Sequence, residues 1–126
     1  MTTTRPPLPE FTIVQTTTDS PEEAERLAQA AVERGLAACV QVSEIRSYFR
    51  WAEPGAAPSV SDEREFRLDL KTTVSAVPAL HEFIETEHSY QEPEIIMLPI
   101  IGGSEGYLNW VRSEAGATAE TRRSPA

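Results

Sequence analysis

The chain has 126 residues, a formal net charge of −9, 40% hydrophobic and 25% charged residues, the composition of a single globular domain long enough to bury a core unaided by metal or disulfide. Its acidity excludes a sequence-independent nucleic-acid binder, which needs a basic face. The lone cysteine, Cys39, excludes an intrachain disulfide or multi-cysteine zinc site and makes a reducing cytoplasm the expected compartment, while no run approaches the ~20 apolar residues of a membrane span.

Residues 1–10 carry three prolines and three threonines without the apolar stretch of an export signal, and are expected to be a disordered leader. Phe11-Thr12-Ile13-Val14-Gln15-Thr16 is β-branched and aromatic. It predicts a strand with Phe11 and Ile13 on one face and Val14 on the other. Asp19-Ser20-Pro21-Glu22-Glu23 supplies a capping residue, a proline at the first helical position and first-turn carboxylates. A helix follows, with Ala24, Leu27, Ala28, Ala31 and Val32 in one apolar stripe and Gly35 as its stop.

Leu36 to Val42 reads as a second strand, resuming at Ile45-Arg46-Ser47-Tyr48-Phe49-Arg50-Trp51, either continuous or kinked near Ser43 or Glu44. Residues 52–61 form a turn and loop tip. Phe66-Arg67-Leu68-Asp69-Leu70-Lys71 alternates strictly, one face for the core and one carrying charge. A second helix over about Ser75 to Glu87 lines up Val77, Leu80 and Ile84, with Phe83 beside them. Five of the six residues from Ile95 to Ile100 are aliphatic or methionine, a strand bracketed by Pro93 and Pro99 and covered on both sides or by another chain. After Gly102-Gly103-Ser104, the recurrence of Tyr107, Leu108, Trp110 and Val111 predicts a short helix. Residues 114–126 are expected to be a flexible tail, leaving 11–113 as the folded domain.

The order β, α, β, β, α, β with a terminal helix is a twice-repeated split βαβ unit. It predicts an α+β, ferredoxin-like βαββαβ sandwich: four antiparallel strands with both main helices on one face. The second and fourth strands are then edges. One carries Tyr48, Phe49 and Trp51 and the other is wholly apolar, so an oligomer is expected to hide them.

Chemistry concentrates in His88-Ser89-Tyr90-Gln91-Glu92-Pro93-Glu94, where alternation would put His88, Tyr90, Glu92 and Glu94 on one side if the segment is extended. His88 with Glu87, Glu92 or Glu94 suits Cu(II), Zn(II) or another divalent cation. The competing reading has His88 and Tyr90 hydrogen-bonding at a helix-to-strand corner. An enzymatic reading would make His88 a general base, Tyr90 or Glu92 its partner, and Lys71 or Arg50 an anion clamp, but no nucleophile elbow or phosphate loop accompanies them. Cys39, between alanines and Val40, reads as a small buried hydrophobe. His81 with Glu82 and Glu85 reads as helix surface.

The segments Ala24 through Ala38-Cys39-Val40, Tyr48-Phe49-Arg50-Trp51, Leu70-Lys71-Thr72-Thr73, His88 through Glu94, Leu98-Pro99-Ile100 and Tyr107-Leu108-Asn109-Trp110 together resemble the CutA divalent-ion tolerance proteins. The resemblance spans roughly residues 11–113. It implies a fold similar to the PII signalling proteins, a homotrimer with intersubunit sheets, and an association with tolerance of copper and other divalent cations; with no catalytic motif present, the chain reads as a binding or signalling scaffold and not an enzyme. The expected metal contacts on this chain are His88 and Glu92, and the expected intersubunit clefts contain Trp51, Lys71, Tyr90 and Glu94. The alternatives are a small cleft enzyme using His88, Tyr90 and Glu92 as acid-base groups, or a PII-like sensor of a small anion. Copper-binding members of the family have a cysteine where this chain has Gln15 and often a second histidine where it has Glu87; His88-Ser89-Tyr90 stands for the usual His-Pro-Tyr.

Overall fold

The computed structural model describes residues 9–116. Strand β1 (Phe11–Thr18) leads to helix α1 (Pro21–Glu33), strands β2 (Cys39–Trp51) and β3 (Ser59–Thr73), helix α2 (Val77–Glu87), strand β4 (Ile96–Ile100) and helix α3 (Glu105–Glu114). The strands form one antiparallel sheet in the order β2-β3-β1-β4. This is the ferredoxin-like arrangement, with β2 and β4 at the edges.

Local chemistry sets the ends of α1. Ser20 caps it, its Oγ accepting the Glu23 N–H at 3.1 Å, and Pro21 occupies the first turn, where a missing N–H costs nothing. At the other end Gly35 takes φ 69°, a left-handed turn that a side chain would resist. The apolar stripe then packs Ala24, Leu27 and Ala31 against Val14, Leu68 and Leu70 of the sheet and Leu80, Phe83 and Ile84 of α2. Each fully buried Leu or Ile in this layer contributes roughly 1.5–3 kcal/mol.

Alternation turns Phe11, Ile13, Gln15 and Thr17 of β1 and Glu65, Arg67, Asp69 and Lys71 of β3 to the face away from α1 and α2. Helix α3 covers one end of that face. Val111 and Ala115 pack there on Phe11 and Ala38, with Ile100 and Leu108 alongside.

Several expectations are refined. Residues 36–38 are not strand: Leu36 and Ala37 turn back to Ala31 O, and β2 begins at Cys39, then runs unkinked through Ser43 and Glu44 in continuous register with β3. The turn is shorter than expected, since β3 starts at Ser59. A 3₁₀ turn, Val74–Ala76, precedes α2. Pro99 lies inside β4, opposite Thr12, which an edge strand tolerates because its outer side needs no ladder donor. Residues 89–92 bend and 93–95 belong to no strand, so the strand-like alternation expected of His88, Tyr90, Glu92 and Glu94 does not form.

The packed region is also longer at both ends. Glu10 accepts the Val74 N–H and pairs with Arg112, while Ala115 is buried and the Gly116 N–H donates to Gly35 O. The rest of the expected leader, 1–8, and of the tail, 117–126, lies outside the described residues.

Candidate functional site

A polar corner forms where the C-terminal ends of β1 and α2 meet the start of α1. Ser20 and Glu23 have the spacing of a capping box, in which the glutamate normally turns back to the cap N–H. Here Glu23 turns instead to Thr18 and Ser89 and stays buried. Its Oε2 accepts from Thr18 Oγ1 at 2.5 Å and Ser89 Oγ at 2.8 Å, and its Oε1 accepts the Ser89 N–H at 3.0 Å. The Ser20 N–H it leaves behind donates to Thr18 Oγ1 at 3.3 Å. Burial alone would push the Glu23 carboxyl up, but the bonds from Thr18 and Ser89 hold it below the usual carboxylate range.

His88 ends α2. Its N–H donates to Ile84 O while its own backbone turns extended, and its side chain is fully buried. The ring is held at both nitrogens. Nε2 lies 2.8 Å from Thr17 O, and a carbonyl only accepts, so Nε2 carries the proton. Nδ1 lies 3.0 Å from the Tyr90 N–H, which only donates, so Nδ1 is the acceptor. These two partners define one neutral tautomer. Glu23 Oε2 approaches Nδ1 to 3.8 Å.

From Tyr90 the network passes to the open face of the sheet. The Tyr90 ring lies 4.8 Å from the His88 ring, and its hydroxyl donates to Glu65 Oε2 at 2.8 Å. Burial, then that bond to Glu65, pushes the phenol well above its usual range. Burial and the charge of Glu65 raise the Glu94 carboxyl too, with Arg67 opposing them. Arg67 Nε lies 3.5 Å from Asp69 Oδ1 without a hydrogen bond, and Gln15 Nε2 donates to that same oxygen at 2.7 Å. Tyr90 and Glu65, with Arg67, Asp69 and Gln15, thus make up a polar row, and Glu94 lies within electrostatic reach of Glu65 and Arg67.

Within one chain, the residues singled out from sequence separate into groups. His88 and Tyr90 are in contact, Glu65 is bonded to Tyr90, and the charge of Glu65 acts on Glu94 without a bond between them. Glu92 is exposed and lines a groove of about 450 Å³ with His81, Glu85, Gln91, Pro93 and Ile95; His88 is not in its wall. Lys71 Nζ donates to Tyr107 Oη at 3.3 Å, toward α3. Trp51 is exposed at the hairpin end of β2, as is Arg50. Cys39 is half-buried with a free thiol.

Sequence reasoning missed Glu23, Glu65 and Arg67. The spacing from Ser20 marked Glu23 as a cap partner, and the alternation 65-67-69 put three charged side chains on one face. Nothing local indicated that Ser89 and Tyr90 would meet two of them.

The residues at the copper-associated positions do not fit a copper ion. Both His88 nitrogens are engaged, and Gln15 offers a neutral amide already bonded to Asp69 where copper favours thiolate or imidazole. Among the described residues, no group of three or more His, Cys, Asp or Glu side chains could hold a metal ion.

Fold and site together define a ferredoxin-like sandwich with unpaired edge strands and a polar row crossing from a helix corner to its open face. The family described as CutA1 divalent ion tolerance protein matches residues 12–114. A divalent-cation tolerance protein CutA from Thermus thermophilus is 40% identical over 105 residues, covering 82% of this chain and 97% of that one. The human protein CutA is 34% identical over 99 residues, covering 78% of this chain and 52% of that one, so the chain spans about half of the human relative's length. Among solved structures, CutA1 from the psychrotrophic bacterium Shewanella sp. SIB1, described as a stable protein, superposes with a TM-score of 0.79 at 32% identity, covering 87% of this chain and 99% of that one. The chain belongs to the CutA1 divalent ion tolerance family.

Proposed function

We propose that the chain acts as a homotrimeric scaffold in tolerance of divalent cations, in the cytoplasm, with the Tyr90–Glu65–Glu94–Arg67 row at its subunit boundaries. The cation role rests on the names its relatives carry, and the free Cys39 thiol suits a reducing compartment. No helix among the described residues is long and apolar enough to cross a membrane.

The observation that carries the assembly is the wet apolar edge. In β4, Ile96, Met97 and Leu98 are 45%, 59% and 41% exposed, beside a strand flank that has no partner among the described residues. On the opposite edge, β1 reaches β3 only as far as Phe66, so Ile45–Trp51 and Ser59–Glu65 project as a two-stranded ribbon about 20 Å long bearing Tyr48, Trp51 and Val60. A two-stranded ribbon is marginal alone in water, and sister copies covering it and β4 remove both liabilities.

Native mass spectrometry and sedimentation equilibrium at micromolar protomer test this. The expected mass is three times 13.9 kDa, falling to one protomer in Leu98→Glu. A wild-type monomer with its fold intact would remove the proposal.

A further inference from the structure

The divalent-cation role and the buried imidazole make His88 the obvious candidate ligand, and half of its environment agrees. A metal-bound histidine typically donates its second ring N–H to a carbonyl or carboxylate, as Nε2–H here donates to Thr17 O. Coordination would then fall to Nδ1. That lone pair is already aimed at the Tyr90 N–H at 3.0 Å, with the ring fully buried. A cation arriving there would strip Tyr90 of its acceptor and open a turn held from the other side by Glu23 through Ser89 O–H and N–H.

We infer that His88 is a positioning residue, and not a cation ligand: its imidazole fixes the backbone at Tyr90 and so aims the phenol at Glu65, joining the helix corner to the polar row. The chain of contacts is continuous, from Thr17 O through Nε2–H and Nδ1 to the Tyr90 N–H, and from Tyr90 Oη to Glu65 Oε2. It lies within one protomer, so the inference does not depend on the number of subunits.

Asparagine separates the two roles, because its Oδ1 can replace Nδ1 as acceptor for the Tyr90 N–H without offering an imidazole. Zn(II) and Cu(II) are titrated calorimetrically into wild type, His88→Asn and His88→Ala, and amide exchange is followed at Tyr90. The expected result is metal affinity and stoichiometry unchanged within twofold in both variants, or no binding in any of them. Protection of the Tyr90 amide should persist in His88→Asn and fall tenfold or more in His88→Ala. On wild type, ¹⁵N spectra of the ring should show Nε2 protonated and Nδ1 bare, with neither signal moved by Zn(II); this measurement decides alone if the variants fail to fold. A tenfold loss of metal affinity in folded His88→Asn, a Zn(II)-dependent shift of either ring nitrogen, or full Tyr90 protection in His88→Ala would overturn the inference. Native mass, recorded on the same samples, reports failure of the trimer separately.

Discussion

Replacing Glu23 with alanine removes one carboxylate from three donors, Thr18 Oγ1, Ser89 Oγ and the Ser89 N–H. These donors differ in what they lose. Ser89 is exposed, so its two donors can turn to water, whereas Thr18 is fully buried and its hydroxyl is left dry. Hydrogen bonds to a charged group are worth ~1.5–3 kcal/mol each, a dry unpaired donor costs ~1–3 kcal/mol, and the desolvation of the carboxylate is regained when it is removed. The Arg26 pair at 3.5 Å is half in solvent and adds little. We therefore expect Glu23→Ala to cost about 2–3 kcal/mol, and Glu23→Gln, which keeps one acceptor oxygen, about 1 kcal/mol. Against a typical domain stability of ~5–15 kcal/mol this is a large loss.

Urea unfolding of wild type and variant at a fixed protomer concentration gives the difference directly. Because the folded environment holds Glu23 below its unfolded value of ~4.3, its contribution is complete above that pH and is lost as pH falls through the folded value. The gap between wild type and Glu23→Ala should thus be constant from neutrality to about pH 5 and narrow below it. A gap under ~0.5 kcal/mol at neutral pH, within the range of ordinary surface substitutions, or one that widens on acidification, would refute the reasoning.

Glu94 has the opposite sign. Its folded carboxyl is raised by burial and by Glu65, so the contribution of its protonated form is present at low pH and lost as pH rises through the folded value. Glu94→Gln should stabilise the protein at neutrality by only about 0.3–0.5 kcal/mol, because the residue is largely open to solvent and its carboxyl only partly desolvated, with the gain vanishing in acid unfolding curves; destabilisation at neutral pH would contradict this. Thr16 is fully buried in the helix-facing layer with its hydroxyl unpartnered among the described residues. Thr16→Val should raise the urea midpoint, worth about 1 kcal/mol, and a lowered midpoint would show that the hydroxyl is bonded after all.

The first helix was legible from Asp19 to Gly35 because cap, proline, stripe and stop are all short-range signals. Strand β3 was legible at Phe66 to Lys71 for the same reason, since alternation reports a half-buried sheet directly. The extra length of the β2–β3 ribbon was not. Its Ser59-Val60-Ser61-Asp62-Glu63 stretch has no burial pattern, and only pairing with β2 makes it strand. Pro99 likewise reads as a stop, and only its place on an outer edge makes it compatible with β4.

At the corner, the amino-acid order determined which groups were present: an imidazole ending one helix, a phenol two residues on, and a carboxylate three residues after a serine cap. The order of elements also determined that β2 and β4 would be edges. Which lone pair each polar group would spend was decided only by packing. The His88 ring meets a carbonyl 71 positions away, and Ser89 meets a carboxylate 66 positions away. Buried donors and acceptors must be satisfied by whatever the fold places beside them. Helical and strand periodicities report which side of an element faces the core, and they carry no information about which neighbour waits there.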